Sequence, residues 1–208
     1  MIRALTFAAL LPLPAAAQSS AADILSALDA PTAELEQLMQ VLEGPNEEKA
    51  LTAMRLMLGS GDATMERMAL RAGLTSTSGV ARGVALEAFM NSQPTLMAFA
   101  EIDGEDQEEV FARWIAAVGS LSSSTTGNFP IGIGPYSAED NCFVASDRPT
   151  TCSSRLGGTE VSFYSGGSWG TARLNESCEL VGSISHNFNS SMTTGPITLT
   201  IPLLGQLQ

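Results

Sequence analysis

The side chains whose types and spacing suggest chemistry cluster around one glycine-rich turn. Gly166-Gly167-Ser168-Trp169-Gly170 spells G-x-S-x-G, the letters of a nucleophile elbow, and His186 lies downstream with Glu176 and Glu179 between. The order serine, acid, histidine is that of the elbow enzymes, but an elbow needs a strand before the serine and a helix after it within a large parallel sheet. Here the residues after Ser168 read as a strand, and only 18 positions separate the serine from the histidine. Gly-Gly-Ser is ordinary hairpin chemistry. A serine hydrolase on Ser168 and His186 is therefore the rival reading, and no catalytic residue is assigned.

Tyr164 and Trp169 flank the same turn. Aromatic rings offer flat apolar faces with polar edges, so the pair is a candidate ligand platform for a sugar. The competing expectation is that at least one ring packs into the core. Cys142, Cys152 and Cys178 all fall in the C-terminal third. An oxidising compartment lets two of them pair, and Cys142–Cys152 is the expected bridge because Asp147-Arg148-Pro149 reads as a turn between two short extended runs. Cys178 is then buried and inert, or pairs with another chain. Cys-x9-Cys without a CxxC, in a chain whose one histidine is His186, is a poor match to zinc spacing.

Glu101, Asp103, Glu105, Asp106, Glu108 and Glu109 are the densest acidic run. A calcium loop with its glycine at Gly104 would begin at Phe99 and end at Val110, neither of which is a ligand. Asp103 as an N-cap, with carboxylates in the first helical turn, explains the run without a metal. Asn175-Glu-Ser and Asn189-Ser-Ser are glycosylation sequons by letter, read here as chance matches. No metal and no cofactor are assigned.

These residues belong to a chain of 208 with 22 Asp and Glu against 10 Lys and Arg, a net charge of −12. Hydrophobic residues make up 44% and charged ones 15%, which excludes wholesale disorder. Lys49 is the single lysine, so the clustered bases that nucleic-acid binding needs are missing. Arg3, the uncharged run Ala4–Ala16 and the small residues Ala15-Ala16-Ala17 form an export signal cut before Gln18. No later run is apolar and long enough to span a bilayer. A periplasmic or secreted protein, bacterial from its alanine-rich, lysine-poor composition, is the expectation.

Two periodicities divide the chain. Leu35, Leu38, Met39 and Leu42 begin a series of helical stripes, continued by Leu51, Met54, Met57 and Leu58, and by Met65, Met68, Ala69 and Ala72 with Asp62 as cap. Val80, Val84, Ala85, Ala88 and Phe89, capped by Ser78, give the next, and Val110, Phe111, Trp114, Ile115 and Val118 the last. Leu58-x-Ser60-x-Asp62 with Met68-Ala69-Leu70-x-Ala72-x-Leu74 recurs 16 residues later as Leu74-x-Ser76-x-Ser78 with Val84-Ala85-Leu86-x-Ala88-x-Met90. On these residues the segment 50–100 resembles a HEAT-like helical repeat, and the resemblance implies a scaffold or protein-binding role. After Gly119 a Ser/Thr stretch reads as a linker, and alternation takes over at 160–164, 171–174, 179–184 and 197–201.

The expected class is α+β: an all-α unit, HEAT-like or an irregular bundle, over 20–119, a linker at 120–128, and a small β-sandwich or open barrel over 129–208. Ser20–Ser120 holds 16 acids against 6 bases, so acidity belongs mostly to the helical unit. The expected function is that of an exported, non-enzymatic module that binds a protein partner or a surface glycan.

Overall fold

The computed structural model describes residues 33–103, 107–165, 167–189, 192–193 and 195–207. The export signal expected at 1–17 lies outside them. The chain divides into two compact units, 1–37 and 38–208, and apart from the start of the first helix the features below belong to the second.

Residues 33–42 are helical (α1). Helix α2 (Glu47–Leu58) is capped by Asn46, whose side chain accepts from the Lys49 amide at 2.9 Å. Asp62 caps α3 (Ala63–Thr75) by accepting from the amides of Thr64 and Met65, and Ser78 caps α4 (Gly79–Asn91). Each cap satisfies donors that a helix start leaves without partners. These expected helices are present, with Met54, Met57, Leu70, Leu74, Leu86, Phe89 and Met90 turned inward.

The chain then departs from the expected all-α pattern. Gln93 at φ 56° turns it out of α4, and Thr95–Ile102 forms β1 rather than more helix. Helix α5 (Glu108–Val118) follows. The rest is antiparallel sheet: β2 (Ser120–Leu121), β3 (Thr126–Ser137), β4 (Cys142–Ala145), β5 (Arg148–Gly157), β6 (Glu160–Ser165), β7 (Ser168–Leu174) and β8 (Glu179–Ile184). Strands β9 (Asn187–Asn189) and β10 (Met192–Thr193) pair only with each other, and β11 (Ile197–Pro202) completes the main sheet. The segment 120–128, expected as a linker, thus contributes β2 and the first residues of β3.

The order β1-β11-β8-β7-β6-β5-β4-β3 closes on itself, because β1 also pairs with β3 from Thr95↔Gly132 to Glu101↔Thr126. The β-fold is a closed eight-stranded barrel rather than a sandwich or an open one. Closure leaves its strands without free edges. Along β1, Leu96, Ala98, Ala100 and Ile102 point in, while Thr95, Met97, Phe99 and Glu101 point out. Small inward residues at Ala98, Ala100, Gly170, Ala172 and Gly182 alternate with Phe129, Phe143, Phe163, Leu180 and Leu199. A narrow barrel filled by its own side chains needs such alternation. A Cβ at Gly182 would overlap the Thr171 carbonyl.

Helices cover both barrel ends. At one end Gly83 of α4 lies against Gly158 in the β5–β6 turn, and Arg82 donates to the carbonyls of Leu174 and Asn175. Buried Cys178 donates to the Leu74 carbonyl at 3.4 Å. At the other end α5 inserts Trp114 against Phe129, with ring centroids 4.9 Å apart. One hydrophobic cluster runs from Met54 through Leu96 to Trp114 and Leu199, so helices and barrel share a core.

Candidate ligand-binding surface

Strands β6 and β7 form a hairpin in which Tyr164 stands directly opposite Trp169, and Ser165 opposite Ser168. Period-two alternation sends Val161 and Phe163 into the barrel, and so puts Tyr164 on the outer wall. Trp169 shares that face, because its neighbour Gly170 points inward. The two rings are 41% and 40% exposed, which excludes the core-packing alternative for both. Their centroids lie 5.4 Å apart with planes tilted by 55°. Both side chains therefore stay partly open to solvent while packing against each other.

Arg155 joins this pair from β5. Its guanidinium carbon sits 4.6 Å from the centre of the Trp169 ring, a distance at which the cation is attracted by the ring's negative face. The contact places a planar cation with several N–H donors against the indole. Sequence reasoning missed Arg155, which lies 14 positions from Trp169. The signal was the strand register: Arg155 opposes Ser162, and Ser162 opposes Thr171, two residues on from Trp169.

Beneath the hairpin, Ser165 Oγ and His186 Nδ1 share a 2.7 Å hydrogen bond. The imidazole stacks on Trp114 at 5.5 Å with planes 27° apart. Ser168 begins β7, and a strand follows it where an elbow would have a helix. The arrangement ties the hairpin to α5, since one histidine contacts both. Burial pushes the His186 imidazole below its ordinary value of 6.5, so the folded protein holds it neutral. An unfolded histidine takes up a proton below about pH 6.5, whereas the folded one resists until lower pH. Stability from this group is thus complete above that value and declines as pH falls. The thermal midpoint is expected to drop between pH 7.0 and 5.5, and to drop less in His186→Asn. Equal drops in both proteins would exclude the linkage.

The remaining candidates resolve simply. Cys142 and Cys152 form a disulfide across β4 and β5, with Cα atoms 5.7 Å apart. Asp140 lies beside both sulfurs, but a disulfide has no thiolate to offer a metal. Burial pushes the Cys178 thiol up, against a smaller lowering by Arg82, and the thiol stays protonated at neutral pH. Helix α5 has Gln107 rather than Asp103 at its N-cap, and that cap makes no side-chain bond. The Gln107 carboxamide instead accepts from the Gly195 amide. Glu108 and Glu109 do occupy the first turn, as charge at a helix start favours. Asn175 of the first sequon is held by Glu179 through two hydrogen bonds, of 2.9 and 3.1 Å.

Fold and surface together define a closed antiparallel barrel covered by helices at both ends, with an aromatic and cationic patch on its wall. Comparison of the chain with family models, curated proteins and solved structures returns no match.

Proposed function

We propose that this protein is an exported, non-enzymatic binding module whose barrel wall takes a glycan at Tyr164, Trp169 and Arg155. The observation that carries the reading is the simultaneous exposure of two rings directly opposed across two strands. Exposed aromatic area is unfavourable in water unless a partner covers it. Sugar C–H faces suit such rings, and the guanidinium edges of Arg155 suit sugar oxygens. The Cys142–Cys152 disulfide supports an oxidising compartment, as does the leader-like segment 1–17. No helix among the described residues is long and apolar enough to cross a membrane. The helical unit α2–α4 serves in this reading as a HEAT-like scaffold for a protein partner.

Calorimetry of the full chain against a panel of neutral and acidic oligosaccharides tests the proposal. Trp169→Ala is expected to weaken binding by at least about tenfold, near 1.4 kcal/mol, with Tyr164→Ala acting in the same direction. The circular dichroism spectrum should not change, because neither ring supports the core. Unaltered affinity in Trp169→Ala would remove the site, and a silent panel would remove the glycan.

A further inference from the structure

Helix α4 separates two hollows that meet along Val80. The first, about 520 Å³, lies among α2, the end of α3 and the start of α4, with Leu42, Leu51 and Met54 in its floor. The second, about 620 Å³, lies between α4 and the barrel, lined by Val84, Tyr136, Phe143 and Leu156. Val80 borders both and is 61% exposed. A β-branched apolar side chain standing between two hollows, each lined by more apolar than polar surface, offers a contact that an amphipathic helix can straddle.

The border has one sign of charge. Glu43, Glu47 and Glu48 edge the first hollow and Glu87 edges the second, and among the described residues neither is lined by a lysine or arginine. The base that α4 does carry, Arg82, is turned to the barrel carbonyls of Leu174 and Asn175. This charge selects among occupants. A second copy of the chain has a net charge of −12 and a single lysine, so two copies repel. The chain's own segment 18–32 contains Asp23, Asp29 and no base, and by charge it matches poorly.

We infer that the paired groove docks a basic amphipathic helix from a partner protein. Apolar side chains spaced i, i+3, i+4 and i+7 on that helix would enter the hollows on either side of Val80. Lysines and arginines on its flanks would meet Glu43, Glu47, Glu48 and Glu87. The site is separate from the aromatic wall and does not depend on the glycan reading.

The experiment uses the full chain and a fluorescent helical peptide with leucines at those four positions and lysines on its flanks. A matched peptide with glutamates for the lysines is the control. Anisotropy should show binding of the lysine peptide only, weakening as salt rises. Val80→Lys, an exposed change whose folding circular dichroism can confirm, is expected to weaken it at least tenfold. The triple variant Glu43→Gln/Glu47→Gln/Glu48→Gln should weaken it severalfold and flatten the salt dependence. Trp169→Ala should leave it unchanged. The inference is overturned if no lysine peptide binds at submillimolar concentration, if the glutamate peptide binds equally, or if Val80→Lys binds as the parent does. Binding seen only after deletion of residues 18–32 would assign the groove to the chain itself. A dimer in solution that Val80→Lys dissolves would assign it to a second copy.

Discussion

Replacing Trp114 by alanine is expected to remove about 3–5 kcal/mol of stability, the range for deleting a large buried aromatic side chain. Trp114 is 2% exposed. Its neighbours come from different elements: Phe111 on α5 at 6.1 Å, Phe129 on β3 at 4.9 Å and His186 after β8 at 5.5 Å. They cannot all close on the space the indole leaves, because the barrel fixes the positions of Phe129 and His186 relative to each other. The cavity therefore persists, and its cost adds to the lost burial. Denaturant unfolding followed by far-ultraviolet dichroism measures the loss, and Trp114→Phe should lose less. The same change bears on function, since His186 links Trp114 to Ser165 and hence to the hairpin that carries Tyr164 and Trp169. In Trp114→Ala the one remaining tryptophan is 40% exposed, so acrylamide should quench its emission readily. A variant that unfolds at the parent's denaturant midpoint would show that α5 does not hold the barrel's end.

The double variant Cys142→Ala/Cys152→Ala is expected to lose about 2–3 kcal/mol, the loop-closure contribution for a bridge spanning roughly ten residues. That corresponds to a fall in thermal midpoint on the order of 4–12 °C for a chain of this size. The bridge matters here because the pairing beneath it is irregular. Between β4 and β5 the register shifts at Phe143/Val144 and again at Val144/Ala145, which removes ladder hydrogen bonds from a four-residue strand. On its other side β4 pairs with β3 through a ladder that also shifts register, between Ile133 and Tyr136, whereas β6 and β7 keep six even pairs. Reductant added to the parent should reproduce the shift, and the double variant should ignore reductant. An unchanged midpoint in both would mean that the strands hold each other without the covalent link.

Much of this architecture is legible in the sequence. The caps at Asp62 and Ser78, the stripes of α2 to α4 and the strands β6, β7, β8 and β11 followed from local rules. Each such element satisfies its own hydrogen bonds or shows its own buried face within a dozen residues. The cysteine pair was legible for the same reason, since a short turn brings Cys142 and Cys152 together.

Strand β1 was not. Leu96-Met97-Ala98-Phe99-Ala100 is apolar on both faces, because Met97 and Phe99 stay 40% and 50% exposed outside the barrel. Its alternation is hidden, and Ala, Leu and Met have high helix propensity. Its partners are β3 and the distant β11, where Phe99 meets Thr200. A strand whose hydrogen bonds all lie elsewhere in the chain carries little local sign of itself. The Ser/Thr stretch at 120–128 misled in the opposite direction, reading as a linker although β2 and β3 draw on it.

The candidate surface divides along the same line. Types and spacing singled out Tyr164, Trp169 and His186 from the chain of letters. Only the closed barrel decided that both rings face outward, that Arg155 lies over one of them, and that the serine hydrogen-bonded to His186 at Nδ1 is Ser165. Local composition determines helices, turns and hairpins because their partners are near neighbours. Closure, facing and cross-strand company are set by registers between segments up to about a hundred residues apart, which no short window contains.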